Sequence, residues 1–152
     1  MLEIIKKHLA ALSSSSWDDY RATLANDAAY DEVATGERVV GIDAHIESLQ
    51  RWKTAFPDLK ATVVRGYTVA DRVVAEVEWE GTHRGTLEGM FGIVRATHRR
   101  CRVKAILLFT VRSGKIVETR HYFDMLTILY QLGVSSSVSA APPAPRGTEV
   151  RP

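Results

Sequence analysis

The chain has 152 residues, 45% of them apolar and 25% charged, a balance that excludes a disordered chain and suits one globular domain with a sizeable core. A formal net charge of +2 gives no reason to invoke nucleic acid, and no apolar run nears the roughly 20 residues of a membrane span. The single Cys101 excludes an internal disulfide and a CxxC metal or redox motif, so a reducing cytoplasm is the expected compartment.

At the N-terminus Leu2, Ile5, Leu9 and Leu12 recur on one helical face, with Lys6 and Lys7 on another. This pattern reads as an amphipathic helix and not as a signal peptide, since no apolar h-region and cleavage site follow. Ser13–Ser16 breaks the helix, and Ser16 is placed to cap a second one whose first turn holds Asp18 and Asp19 and whose apolar stripe is Trp17, Tyr20 and Leu24. Residues Ala28 to Val40 suggest a short hairpin turning at Thr35–Gly36. A third helix begins near Asp43, buries Ile42, Ile46, Leu49 and Phe56, and stops at Pro57–Asp58.

The apolar period then changes from about 3.6 to 2. Leu59–Val69 and Arg72–Arg84 form one strand pair, and Arg102–Arg112 and Lys115–Asp124 a second. Glu76, Glu78 and Glu80 face one way; Val77, Trp79, Gly81 and His83 face the other. In the last strand Ile116, Glu118, Arg120, Tyr122 and Asp124 share a face opposite Val117, Thr119, His121 and Phe123, and neither set is cleanly apolar. Met125 to Leu132 is a short helix closed by Gly133. The expected organisation is one domain over 1–133 and a flexible Ser/Ala/Pro-rich tail over 134–152.

Helices followed by long antiparallel strands predict an α+β fold, a cone of three helices on a strongly curved antiparallel sheet with a short final helix at its mouth. Gly81, Gly85, Gly89 and Gly92 fit bends and loops along its rim. Such a cone can hold a small hydrophobic ligand. The basic run Arg95, His98, Arg99, Arg100, Arg102 and Lys104 lacks interleaved aromatics and reads as a solvated loop entering a strand, not a nucleic-acid surface.

Four ordered stretches carry a resemblance: Phe56-Pro-Asp-Leu59, Trp79-Glu-Gly-Thr-His83-Arg-Gly85, Gly114-Lys-Ile-Val-Glu118, and Asp124-Met-Leu-Thr-Ile-Leu-Tyr-Gln131-Leu-Gly133. Together they resemble the SnoaL-like polyketide cyclases, or ester cyclases, of the nuclear transport factor 2-like superfamily, over about Leu2 to Gly133. The resemblance implies a cone-shaped barrel, homodimeric or higher, with a deep apolar pocket and no metal or other cofactor. It implies ring closure by intramolecular aldol chemistry; relatives isomerise steroids or open epoxides. It makes Asp124 the acid–base residue and places His83 in the pocket wall.

Metal-free aldol chemistry needs a base for an α-proton and donors for the resulting oxyanion. Asp124, desolvated in an apolar cone, would gain basicity; its rival role is N-cap of the last helix. His83 is a donor or proton relay to a substrate carbonyl, or a structural histidine, and Tyr122 an oxyanion donor or a packing residue. Arg120 stands where relatives carry a large aromatic. Pointing inward and paired with Asp124, it would oppose an enolising base and suit epoxide opening with Asp31; pointing outward, it is a solvated strand residue. Trp79, Tyr20, Trp52 and Phe109 are expected as core or pocket wall. Three readings follow: a cofactor-independent cyclase or isomerase on a hydrophobic polyketide-like carbonyl compound, an epoxide hydrolase or epoxide-opening cyclase, and a non-catalytic ligand-binding or assembly module. The directions of Arg120 and Asp124 separate them.

Overall fold

The structure is a computed structural model and describes residues 1–134; the expected tail lies, from residue 135 onward, outside the described residues. Helix α1 spans Leu2–Ser14 and buries Ile5, His8, Leu9 and Leu12. It ends where Ser15 turns left-handed (φ 56°), which lets the Ser15 and Ser16 amides reach back to Leu12 and Ala11 carbonyls. Helix α2, Trp17–Arg21, is only five residues long, because the chain enters strand β1 (Leu24–Glu32) at Leu24. Strand β2 (Glu37–Val40) returns from β1 as a hairpin, and helix α3 runs Ile42–Ala55.

The long strands are β3 (Lys60–Val69), β4 (Arg72–Thr82), β7 (Arg100–Arg112) and β8 (Lys115–Phe123). Between β4 and β7 stand two short strands, β5 (Leu87–Gly89) and β6 (Gly92–Val94), which form a separate hairpin. Helix α4, Met125–Gln131, closes the domain; Gly133 follows in the left-handed region at φ 77°. The main sheet has the order β2-β1-β8-β7-β4-β3.

That sheet is mixed, where an all-antiparallel one was expected: β1 pairs with β8 in parallel. The β1–β2 hairpin, early in the chain, forms one end of the sheet, and β8, the last strand, lies between β1 and β7. The alternation read from β4 holds, with Val73, Ala75, Val77 and Trp79 buried on the inner face.

In β8 the alternation changes phase. Val111 pairs with Ile116 but Thr110 pairs with Glu118, so Val117 is an extra, bulged residue. Ile116, Thr119 and His121 therefore share the inner face, while Glu118, Arg120 and Tyr122 lie on the outer one. This bulge explains why neither set of alternate residues looked apolar.

α1 and α3 pack on the concave side of the sheet, α1 mainly against β3 and α3 against β1. Ser13 Oγ accepts the Ala61 amide at 3.0 Å, and Lys53 Nζ donates to the Ser13 and Leu59 carbonyls, joining α1, α3 and the start of β3. The basic run is drawn into the sheet: Arg100 and Arg102 pair with Glu80, and Arg102 also with Glu78. No described helix is long and apolar enough to cross a membrane.

Candidate active site

Two cavities adjoin at the open end of the cone. The inner one, of about 50 Å³, is apolar and walled by Trp52, Phe56, Trp79, Cys101, Val103 and Phe123, among others. The outer one, of about 570 Å³, lies between the β1–β2 turn, α3 and the β5–β6 hairpin, with Glu32, Arg51, Trp52, Phe91 and Met125 in its wall. Trp52 belongs to both walls. Only the outer cavity has the size of an ordinary ligand pocket; the inner one admits a few atoms of the reacting end.

The polar groups at this junction come from paired inner-face positions on β1 and β8. Tyr30 pairs with Thr119, and Glu32 with His121. The Tyr30 hydroxyl donates to Glu32 Oε2 at 2.9 Å and lies 2.9 Å from His121 Nδ1. Trp52 Nε1–H donates to the same Glu32 oxygen at 2.9 Å, and the Thr35 hydroxyl to Oε1 at 2.8 Å. Because the single phenolic proton goes to Glu32, His121 Nδ1 must carry hydrogen and donate to Tyr30. His121 Nε2 is then left as a bare lone pair, buried without a partner among the described residues. The ring lies between Trp79 (5.6 Å between centroids) and Phe123 (4.7 Å), both in the wall of the inner cavity.

Burial sets the electrostatics here. Desolvation pushes His121 down to about 3, so the imidazole is neutral. Glu32, 2% exposed, has its carboxyl raised by burial, against the pull of its bonds from Thr35, Tyr30 and Trp52. Four further buried polar atoms have no partner among the described residues: Trp79 Nε1–H, Thr119 Oγ1, His45 Nδ1 and His83 Nε2. Trp79 thus offers a free indole N–H from the inner cavity's wall, on a ring packed against that of His121.

His83 is fully buried and packs against Phe56 at 5.2 Å. Its Nδ1 accepts the Thr97 amide at 3.2 Å, so Nε2 holds the proton and is a buried donor without a partner among the described residues. Deeper in the cone, His8 Nδ1 contacts the Thr23 hydroxyl at 2.7 Å, Tyr20 contacts His45 Nε2 at 3.1 Å, and His45 stacks on Tyr30. Tyr20 and Phe109 are core residues around His8 and outside both cavity walls, whereas Trp52 and Trp79 are wall residues.

Four residues lie apart from the pocket they were expected to serve. Asp124 sits beyond β8, exposed, as N-cap of α4; its carboxylate accepts from the Leu126 amide at 2.9 Å and the Thr127 hydroxyl at 2.6 Å. The Thr127 bond above all lowers its pKa, the reverse of the rise expected in an apolar cone. Tyr122 is on the outer face, its ring 5.7 Å from the Arg120 guanidinium. Arg120 faces outward and pairs with Asp31 at 3.4 Å, because these residues are register partners on the outer faces of β8 and β1.

Sequence reading missed Tyr30, Glu32 and His121 as site residues. The signal was present in β1, where Tyr30 and Glu32 stand two apart on one face, but the pairing with His121 depended on an unforeseen parallel register and bulge. Among the described residues no three His, Cys, Asp or Glu side chains gather as metal ligands.

A family model described as SnoaL-like polyketide cyclase matches residues 3–132. Among solved structures, IdmH from Streptomyces antibioticus, assigned as a polyketide cyclase, is similar at 28% identity and a TM-score of 0.74, covering 87% of this chain and 97% of that one. A protein of Jannaschia sp. CCS1, assigned as a SnoaL-like polyketide cyclase, aligns with a TM-score of 0.78 at 20% identity over 89% and 92% of the two chains. An epoxide hydrolase of M. tuberculosis described as LEH-like shares the fold at 20% identity and a TM-score of 0.66, over 86% of each chain. Comparison with curated proteins gave no match.

Proposed function

Because the chain belongs to the SnoaL-like polyketide cyclase family, we propose that it is a cofactor-independent cyclase or isomerase for a hydrophobic carbonyl compound, with His121 as proton acceptor. The supporting observation is the buried Nε2 of His121, without a partner among the described residues, on a ring packed against Trp79 and Phe123 of the inner cavity's wall. An α-proton of a ketone or ester entering the inner cavity passes to Nε2, and the enolate oxygen takes a hydrogen bond from Trp79. The low-dielectric wall strengthens that bond, and the aromatic rings hold the carbon skeleton. In a cyclisation the enolate carbon then attacks a second carbonyl, and the alkoxide recovers a proton from the same site.

The epoxide reading needs an acid–base pair at Arg120 and Asp124 inside the cone. Arg120 is bound to Asp31 on the outer sheet face and Asp124 caps α4, so the carbonyl reading is preferred.

The test is deuterium uptake at the α-carbon of a benzo-fused bicyclic ketone, 2-tetralone, in heavy water. The wild-type protein should accelerate exchange above the buffer rate. His121→Gln, which retains a polar side chain, should remove the acceleration; undiminished exchange by that variant excludes His121 as the base. Partners are proposed on the same footing: a small hydrophobic substrate, and a second copy of the chain. Ile106 and Tyr122 are exposed cross-strand partners on the outer sheet face, with Tyr67 exposed on β3, and Tyr122→Glu should shift a sedimenting dimer to monomer.

A further inference from the structure

A base whose ring is as hard to protonate as His121 cannot store the proton it removes. The proton must move on, and the hydrogen bonds behind the ring offer the route. We propose that Tyr30 and Glu32 form a proton relay from His121 to the mouth of the cone, and that the protonation state of Glu32 sets which nitrogen of His121 carries hydrogen. The relay rests on the reading of His121 as the base.

The transfer balances atom by atom. The substrate C–H bond breaks and its proton bonds to His121 Nε2, leaving the electron pair on the enolate. The Nδ1 proton moves to the Tyr30 oxygen, and the Tyr30 proton moves to Glu32 Oε2. His121 and Tyr30 end neutral, Glu32 ends as a carboxylic acid, and no imidazolium persists. Every hydrogen bond in the chain has reversed: Glu32 now donates to Tyr30, Tyr30 to Nδ1, and Nε2–H points outward as an acid. That Nε2–H can protonate the product alkoxide as the chain runs back.

The geometry suits both states. The two links are each 2.9 Å, short enough for transfer with little movement. Trp52 and Thr35 hold the Glu32 carboxyl in place in either charge state. Glu32 lies in the wall of the outer cavity, so the far end of the relay can exchange with water while the near end stays dry. The charged and titratable groups around it are few. Glu37 on β2 acts on Glu32 by charge, as does Arg51 on α3, which is itself paired to Glu37. On the Tyr30 side, neutral His45 of α3 stacks on the phenol and Tyr20 lies beyond it.

Long-range nitrogen-15 NMR of the free, full-length protein tests this without a substrate, since it distinguishes Nδ1–H, Nε2–H and doubly protonated rings. The His121 signals are assigned by their loss in His121→Gln. At neutral pH His121 should be the Nδ1–H form. As pH falls it should convert to the Nε2–H form without passing through imidazolium, at a midpoint above the ordinary carboxylate range and shared with a carboxylic-acid infrared band that is absent from Glu32→Gln. Tyr30→Phe and Glu32→Gln should each make the tautomer independent of pH. If the flip persists in either variant, or if wild-type His121 keeps one tautomer while the Glu32 band titrates, the relay is wrong. If Tyr30→Phe does not fold, Glu32→Gln, which keeps the phenol, decides alone. Exchange with 2-tetralone separates the two claims. Undiminished exchange in Tyr30→Phe overturns the relay and leaves His121 as base, whereas a normal flip in a protein that catalyses no exchange removes the enzymatic reading and leaves the coupling intact.

Discussion

At Asp124 both carboxylate oxygens are already engaged, one by the Leu126 amide and one by the Thr127 hydroxyl. Each bond favours the charged form, so the group gains a capping role and loses basicity. Asp124→Ala should lower the thermal midpoint, and Asp124→Ser or Asp124→Asn, which also cap helices, should restore most of it. Exchange activity should survive in Asp124→Asn, which deuterium uptake can check. The sequence already allowed the cap, since Asp before a short apolar helix is a familiar N-terminus. It could not reveal that Thr127, standing where a capping box would have Glu or Gln, serves as a donor to Asp124 instead. Glu32 is the opposite case: a charged residue in a strand reads as solvent-facing, and only the folded surroundings, with bonds from Tyr30, Thr35 and Trp52, show it buried.

Among the elements, β4 was legible because strict alternation of Glu with Val and Trp survives intact in the folded strand. Strand β8 was legible in extent but not in orientation, because one bulged residue, Val117, inverts the parity of everything after it. Parallel pairing of β1 with β8 left no local trace, since register between strands some 90 residues apart is fixed by packing and not by a turn. The β5–β6 hairpin was hidden among glycines whose roles differ. Gly92 adopts φ 97°, whereas Gly85 is required for close approach: a Cβ there would run into the Thr54 carbonyl at the end of α3. The backbone amides of Arg84 and Gly85 both donate to Ala55 O, locking this crossing. Gly85→Ala should therefore cost about 1–3 kcal/mol, in the range of overpacked sites, measurable as a lower urea midpoint with unchanged slope.

Taken as a whole, the molecule keeps four histidines neutral in its interior: His83, lowered by burial, and three others. Burial holds His121 at about 3 and His45 at about 4, and lowers His8 well below the ordinary value, with His45 adding to the effect on His8. In the unfolded chain all four return to about 6.5 and bind protons that the native state refuses. Their stabilising contribution is complete above that value and is lost as pH falls toward the native pKa of each, at up to about 1.4 kcal/mol per pH unit per histidine. Glu32 acts the other way, because its raised native pKa favours the fold on acidification. Urea titrations between pH 7 and 4 should show falling stability, with a shallower slope in His45→Phe; a flat profile would contradict the burial of these rings.

Trp52 has a consequence of a different kind. Its indole nitrogen is bonded to the Glu32 carboxyl while its ring walls the inner cavity, which it shares with Trp79. Two of the three tryptophans in the chain are thus placed at the site, so the protein carries its own optical probe. Occupancy of the inner cavity should quench or shift intrinsic emission. Protonation of Glu32 should shift it at the same midpoint as the carboxyl band, and Trp52→Phe should abolish that titration while Trp17→Phe leaves it in place.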